Sequence, residues 1–377
     1  MNRLVQIVPY YSPPHVGGME MRARDRANWL ANSGWAVETL TSSVLTYPHA
    51  VAEDKPAGGQ LTVQYLRSWE VAHTPIIFSL PIAMAKVPKD SVVHMEAALA
   101  YSPEVASLVC RLRKMPYVVR HSLETEGHTK LRDALLRSYQ RTILPWVYRG
   151  AALVIVLTPD DIPLVTGKYG VAREKIRVIP NATTVTPAET HRAAPHDPFR
   201  LLFVGRVAMQ KNVPLLLRSL RRFLDTYDLP VHLEIAGDGD DMPQVRQLIS
   251  ELSLAEYVDL RGFVHGQDLE ELYESVDALV LPSTRETFGQ VMLEAMTKGL
   301  PVIASNIKCV RTIVADGTSG LLAELDEQSF ATAIHRLAAE DGLYEKLSRG
   351  ALDGAQNYSM AATMDSYLAA YAQARRP

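Results

Sequence analysis

Residues 151–157 read Ala-Ala-Leu-Val-Ile-Val-Leu, an apolar run without alternation. A strand with one wet face alternates apolar and polar side chains, whereas an unbroken run suits a parallel strand covered on both faces. Working outward, similar short runs predict strands at Leu4–Pro9, Ala36–Thr41, Leu61–Leu66, Ser91–Met95, Tyr117–Arg120 and Ile176–Ile179, with helical patterns between them. The stretch Thr183–Phe199, rich in Thr, Pro and Ala, breaks the rhythm and reads as a connector. The rhythm then restarts, with strands predicted at Arg200–Gly205, His232–Ala236, Val258–Phe263, Ala278–Leu281, Pro301–Ala304 and Gly320–Leu322. Alternating strand and helix makes βαβ units and a parallel sheet. The expected class is therefore α/β: two doubly wound Rossmann-like domains, 1–182 and 200–359, facing across a cleft and joined by 183–199. Ligands of such sheets bind outside the strands' carboxyl ends, so the site is sought in the loops that follow strands.

Composition sets the bounds. A chain of 377 residues exceeds what one core usually serves, and 47% hydrophobic with 21% charged residues is ordinary for a globular protein. Two cysteines, Cys110 and Cys309, give neither a disulfide framework nor zinc-ligand spacing and fit a reducing cytoplasm. The opening Met-Asn-Arg-Leu-Val-Gln-Ile-Val-Pro is too short an apolar run for a signal peptide, and no stretch of about 18 apolar residues occurs. The expected location is the cytoplasm or the inner face of the cell membrane. Residues 1–190 hold 21 Lys and Arg against 16 Asp and Glu, net +5, and the remainder 18 against 26, net −8, which together give −3. A basic half favours an anionic partner, although scatter in surface charge would give the same imbalance. No nucleic-acid partner is expected.

The strand-end loops hold the candidate chemistry. Gly17-Gly18 opens a helical pattern through Leu30, and paired glycines let backbone N–H groups approach an anion, or simply make a turn. This is no Gly-x-Gly-x-x-Gly fingerprint, so a nicotinamide cofactor is not expected. Arg206 and Lys211, five residues apart after a predicted strand, suit a diphosphate clamp or two solvated surface cations. After Ala278–Leu281 comes Pro-Ser-Thr-Arg-Glu286-Thr-Phe-Gly289-Gln-Val-Met-Leu-Glu294, with a helical pattern from about Phe288 to Gly299. Glu286 then sits at the helix mouth and Glu294 roughly two turns deeper, each able to accept hydroxyls of a vicinal diol. The N–H groups of Phe288, Gly289 and Gln290 would meet a diphosphate there, while a first-turn glutamate also favours the helix dipole on its own account.

These residues resemble the retaining glycosyltransferases of family four, which have the two-domain GT-B fold. The resemblance rests on Glu286-x7-Glu294, on Val204-Gly-Arg-Val-Ala-Met-Gln-Lys-Asn212 (Asn where the family usually has Gly), and on Val178-Ile-Pro-Asn181. Ile235-Ala-Gly-Asp-Gly239, Gly262-Phe263, Gly17-Gly18-Met-Glu20 and His121 after Tyr-Val-Val-Arg agree as well. It covers nearly the whole chain. It implies that Arg206 and Lys211 neutralise the leaving diphosphate without a metal or other cofactor. Glu286, with the backbone at Phe288 and Gly289, would hold donor-sugar hydroxyls and Glu294 the ribose. Gly262 and Phe263 would flank the base, Gly17 and Gly18 would border the phosphates and acceptor, and His121 would reach the donor sugar. The last helix, from Met360, would pack back on the first domain.

The resemblance further implies a donor that is a nucleoside-diphosphate sugar, UDP by family frequency. Its sugar would pass, with retention, to a carbohydrate, lipid-linked or small-molecule acceptor. His128–Tyr148 joins Lys130, Arg132, Arg137 and Arg141 to Leu, Ile and Trp146 at helical spacing, interrupted by Pro145. It reads as an ordinary packing helix or as a stretch resting on an anionic membrane. The leading expectation is cell-envelope or exported-polysaccharide assembly, with a soluble acceptor (an antibiotic aglycone or sugar phosphate) as the alternative. A sugar-nucleotide epimerase or a non-catalytic nucleotide-sugar binder is the reading from another class.

Overall fold

The computed structural model describes residues 2–12, 18–44, 61–71, 74–97, 101–121 and 130–375, with the side chains of 130–136 excepted. The chain divides into two compact units, Met1–Asn181 with Ala361–Pro377, and Ala182–Met360. In the first, β1 (Arg3–Ile7), β2 (Ala36–Ser42), β3 (Leu61–Leu66), β6 (Val92–Ala97), β7 (Tyr117–His121), β8 (Leu153–Val156) and β9 (Ile176–Val178) form a parallel sheet ordered β3-β2-β1-β6-β7-β8-β9. A short antiparallel ribbon, β4 (Trp69–Val71) and β5 (Thr74–Ile76), stands apart from it. In the second unit, β10 (Phe199–Val204), β11 (Val231–Ala236), β12 (Val258–Gly262), β13 (Ala278–Leu281), β14 (Val302–Ser305) and β15 (Gly320–Ala323) run β12-β11-β10-β13-β14-β15, again parallel.

The predicted strands are all present, with ends displaced by at most two residues; only the β4–β5 ribbon was not foreseen. The unbroken apolar runs are the fully buried strands: β8, β13 and β14 are covered along their whole length. In the first unit, one face of the sheet (Val5, Val93, Met95, Val119, Val154) is sealed by three helices. These are Leu80–Lys86, Ser102–Arg113 and Lys130–Gly150, through Leu80, Met84, Ala106, Cys110, Leu144 and Val147. The third helix runs through Pro145, which the sequence reading took as an interruption. An internal proline removes one backbone hydrogen bond. Here Leu144, Val147 and Tyr148 are buried around it, and Arg111 donates to the Trp146 carbonyl, so packing holds the helix together. Residues 183–199 are fastened to the second unit: Ala188 N–H reaches the Thr297 carbonyl (2.9 Å), Arg192 reaches the Tyr273 carbonyl (2.8 Å), and His196 meets Asp277 (2.7 Å).

The helix Met360–Ala374 belongs to the first unit and covers a buried charge cluster at the carboxyl ends of its central strands. Glu96, at the end of β6, takes Arg26 on one oxygen (3.0 Å) and Arg120 on the other (2.8 Å), all three nearly inaccessible. Arg26 also reaches Gln6 (3.1 Å) and lies over the Tyr367 ring, while Arg120 reaches the Asn181 side chain. Burial alone would raise the Glu96 carboxyl, but Arg120 and Arg26 outweigh it and hold it well below the usual carboxylate range. His94, two residues earlier on the same face of β6, contacts the Tyr371 hydroxyl (3.0 Å); burial, then Arg26, pushes its imidazole down to about 4.

A histidine whose folded value lies below its ordinary one adds stability that is complete above about 6.5 and is lost as the pH falls towards the folded value. The unfolded imidazole binds a proton that the folded one refuses. Urea unfolding of the wild type should therefore lose on the order of 3 kcal/mol between about pH 6.5 and pH 4 through this group, and His94→Gln should flatten that slope. An equally steep slope in the variant would place the acid sensitivity elsewhere. Glu96→Ala, which leaves two arginines buried without a counter-charge, should cost about 3–5 kcal/mol at neutral pH.

Candidate active site

β10 and β13 are neighbours in the second unit although β11 and β12 come between them in the chain. The sheet's winding reverses there, and the crevice at the carboxyl ends of two such strands is where open α/β sheets bind ligands. The loops leaving these strands hold most of the residues singled out in the sequence.

The first loop, after Val204, is braced from behind by the Gly237-Asp-Gly239 turn. Gly205 N–H donates to the Ala236 carbonyl (3.0 Å), Val207 N–H to Asp238 (2.9 Å), and Asp241 N–H to Val207 (3.2 Å). This brace tolerates no side chain: a Cβ on Gly237 would lie 1.9 Å from the Gly205 oxygen, and one on Gly239 2.3 Å from the Val207 oxygen. The loop then makes a single turn at Met209–Lys211 and enters the helix Val213–Thr226 through Asn212, whose φ of +53° is left-handed. After glycine, asparagine is among the residues best suited to that conformation, which accounts for Asn where the family usually has Gly.

The second loop, after Leu281, is tied to the first, with Thr284 N–H donating to the Gln210 carbonyl (2.9 Å). That tie sets Lys211 against Glu286 at 2.6 Å, the two side chains being only 17% and 7% exposed. Ser283 Oγ donates to the same Glu286 oxygen, Oε1 (2.7 Å). An ammonium has three protons and a carboxylate about four acceptor positions. Among the described residues these contacts leave Glu286 Oε2 and two ammonium protons for a ligand. Arg206 stands apart from this pair: it is 65% exposed and bonds Asp240 at 2.7 Å. In sequence the two cations suit either one diphosphate clamp or two solvated surface charges; in the structure Lys211 contacts Glu286 and Arg206 contacts Asp240.

Gly289, at a φ of +77°, opens the helix Gln290–Thr297. The first N–H groups of that helix have no intrahelical acceptor and face its N-terminal end. Phe288 is buried against Tyr358, so its backbone is what the mouth offers. Gln290 donates through its side chain to the Ala182 carbonyl (3.1 Å). Glu294, within the helix, accepts the Tyr273 hydroxyl (3.1 Å); burial, then that carboxylate, keeps the phenol well above its ordinary range. Phe263 follows Gly262 at the end of β12 and is 64% exposed, its ring stacked on His265 at 5.5 Å. A large exposed aromatic at a strand's carboxyl end is a flat surface for another ring.

In the first unit, Gly18 begins the helix Gly18–Asn32, and Gly17 lies outside the described residues. His121 ends β7 and is buried, its Nδ1 2.7 Å from the Tyr148 hydroxyl with Tyr169 beside both rings. Ser283, Thr284 and Tyr273 went unnoticed in the sequence. A serine or threonine in a loop carries no spacing signal, and Tyr273 reads as an ordinary apolar-face residue of the helix Gln267–Ser275.

Sequence models of two families match in tandem: "Glycosyl transferase 4-like domain" over residues 17–182 and "Glycosyl transferases group 1" over 198–340. A D-inositol 3-phosphate glycosyltransferase from Stackebrandtia nassauensis is 31% identical, over 95% of this chain and 87% of its own. The chain is a family-four-like glycosyltransferase. Its fold is GT-B, as in the sucrose-phosphate synthase from Thermosynechococcus elongatus (TM-score 0.76, 21% identity, 99% of each chain). The pneumococcal O-GlcNAc transferase, solved with UDP and GlcNAc, superposes equally well (TM-score 0.76, 14% identity, 100% of this chain and 99% of that one). As a glycosyltransferase the protein uses a nucleotide sugar, and the family recognised from Glu286-x7-Glu294 and Val204–Asn212 is the one these comparisons give.

The brace behind this glycosyltransferase's first loop makes a direct prediction. Gly237→Ala must move the Gly205–Val207 backbone, at a cost of about 1–3 kcal/mol in urea unfolding. Gly262→Ala, with nothing within 4 Å of its added methyl, meets only the strain of its φ of +65° and should cost less. Equal losses would show that the close approach at Gly237 is not what fixes the loop.

Proposed function

We propose that the protein transfers a sugar, with retention, from a UDP-sugar to an acceptor hydroxyl, and that it needs no metal to do so. The single observation behind this reading is the Lys211–Glu286 pair, tied into the β10–β13 crevice beside the mouth of the helix Gln290–Thr297. Breaking the bond between the anomeric carbon and the phosphate oxygen leaves negative charge on the nucleoside diphosphate and positive charge on the sugar. Lys211, the helix N–H groups at Gly289 and Gln290, and Arg206 swung from Asp240 take up the negative charge. Fixed donors in a water-poor crevice are typically the largest catalytic contribution. Glu286 Oε2 accepts donor-sugar hydroxyls, Glu294 holds the ribose, and Phe263 with Gly262 flanks the base. The family resemblance assigns Gly17 and Gly18 to the phosphates and acceptor, and His121, whose Nδ1 meets the Tyr148 hydroxyl (2.7 Å), to the donor sugar.

The acceptor oxygen attacks the anomeric carbon on the face the phosphate leaves. Its proton passes to the departing phosphate oxygen, so one C–O bond forms as another breaks and no sugar becomes attached to the protein. A retaining glycosidase, by contrast, uses a second carboxylate as nucleophile. The acceptor we favour is membrane-borne, in the assembly of an envelope or exported polysaccharide at the inner face of the membrane. A second reading, a soluble phosphorylated polyol, draws support from the name of the Stackebrandtia relative.

Lys211→Ala should lower turnover of a UDP-sugar about 10²–10³-fold. Glu286→Gln should lower it comparably without lowering the melting temperature by more than a few degrees. Nuclear magnetic resonance of the product should show the donor's anomeric configuration. An inverted product, or Lys211→Ala with undiminished kcat, contradicts the reading. Exhaustive chelation should leave the rate unchanged, and a rate that falls and returns with a divalent ion would show that metal supplies part of the charge assigned to Lys211.

A further inference from the structure

We infer that the outer face of the three helices Leu80–Lys86, Ser102–Arg113 and Lys130–Gly150 docks on an anionic lipid bilayer. The inference deepens the reading of a membrane-borne acceptor and rests on it. The inner faces of these helices seal one side of the first unit's sheet, so their outer faces point away from it together. Contiguous large apolar side chains on an outer face mark an interaction surface, and the described residues of this face carry several. Ile82 is 63% exposed, and Leu108 and Leu112, one helical turn apart, are 49% and 76% exposed. Ile143 and Trp146 continue the row on the third helix, and Phe78, just ahead of the first, meets Trp69 edge to face at 5.5 Å, both rings exposed.

The apolar groups on the three helices have cations near them in sequence. Lys86 follows Ile82 by one turn, Arg111 and Lys114 bracket Leu112, and Arg141 precedes Ile143. Arg111 lies over the Trp146 ring at 4.2 Å, which joins the second and third helices into one surface, and Arg113 reaches the Met84 carbonyl, which joins the first and second. The acids within 69–71, 78–90, 101–114 and 130–150 are Glu70, Asp90, Glu104 and Asp133; Glu70 accepts the Tyr10 hydroxyl (3.3 Å) and Glu104 the Tyr139 hydroxyl.

This pairing selects the occupant. Two copies meeting through this face would set one basic surface against another. A bilayer with anionic headgroups takes both components at once: the cations at the phosphates, and the leucine, isoleucine and tryptophan side chains in the headgroup–acyl boundary. Among the described residues no helix is long and apolar enough to cross a membrane, so the contact is a surface one.

The test is flotation of the full-length protein with phosphatidylcholine vesicles, with and without phosphatidylglycerol, at low and high salt. Binding is expected only with phosphatidylglycerol and is expected to weaken with salt. Lys86→Gln, Lys114→Gln and Arg141→Gln together should lower the partition about a hundredfold, and Leu112→Asp alone should lower it at least tenfold, with melting temperatures unchanged. No binding at low salt, equal binding to both vesicle types, or a triple variant that binds like the wild type would each overturn the proposal. A concentration-dependent dimer abolished by Leu112→Asp, without vesicle binding, would overturn it in favour of self-association. Hydrolysis of a UDP-sugar without acceptor, measured on the same preparations, reads the transferase site separately: vesicle binding can fail while that activity stands, and the reverse.

Discussion

A parallel strand covered on both faces has almost nowhere to put polar chemistry except its ends. Every strand of such a sheet points the same way, so the loops at the carboxyl ends all emerge on one edge, and residues far apart in the chain are gathered there. The second unit depends on this constraint. Lys211 leaves β10 and Glu286 leaves β13, yet they form one nearly buried ion pair because those strands are neighbours and Thr284 ties the two loops. Removing one partner of such a pair costs more than the pair itself contributes, since the survivor remains desolvated. The pair is therefore better understood as a way of holding two charged groups ready than as a source of stability.

The first unit applies the same geometry to another end. At the carboxyl ends of β6 and β7, Glu96 and Arg120 meet each other and Arg26, sealed by Tyr367 and Tyr371. The cluster is closed: both oxygens of its single carboxylate are taken by the two arginines. The crevice pair keeps unused acceptor and donor positions. One arrangement fixes architecture, while the other keeps hydrogen-bonding capacity in reserve.

The architecture was legible because burial on both faces writes itself as unbroken apolar runs: Leu153–Val156 and Ala278–Leu281 could be little else. Legibility failed where a charge sits inside such a run. The predicted strand Ser91–Met95 stops short of Glu96, whereas β6 continues to Ala97 because two arginines from distant segments neutralise that carboxylate. The same limit applied at the crevice. Lys211 and Glu286 were each marked by local pattern, but their contact spans 75 positions and depends on strand order, which no local window contains. Arg206 is close to Lys211 in sequence, but its side chain pairs with Asp240, a contact across 34 positions that no local window contains either.

The last helix has a consequence for how the protein is made. Tyr367 and Tyr371, which close over Arg26 and His94, are added by the ribosome only after the entire second unit has been synthesised. Domains that are continuous in sequence can fold as they emerge, amino-terminal first. This one emerges early with a charged seam uncovered and must wait through Ala182–Met360 for its lid. During that interval the nascent chain shows Glu96 and two arginines to solvent, with water in the place that the two tyrosine rings later take.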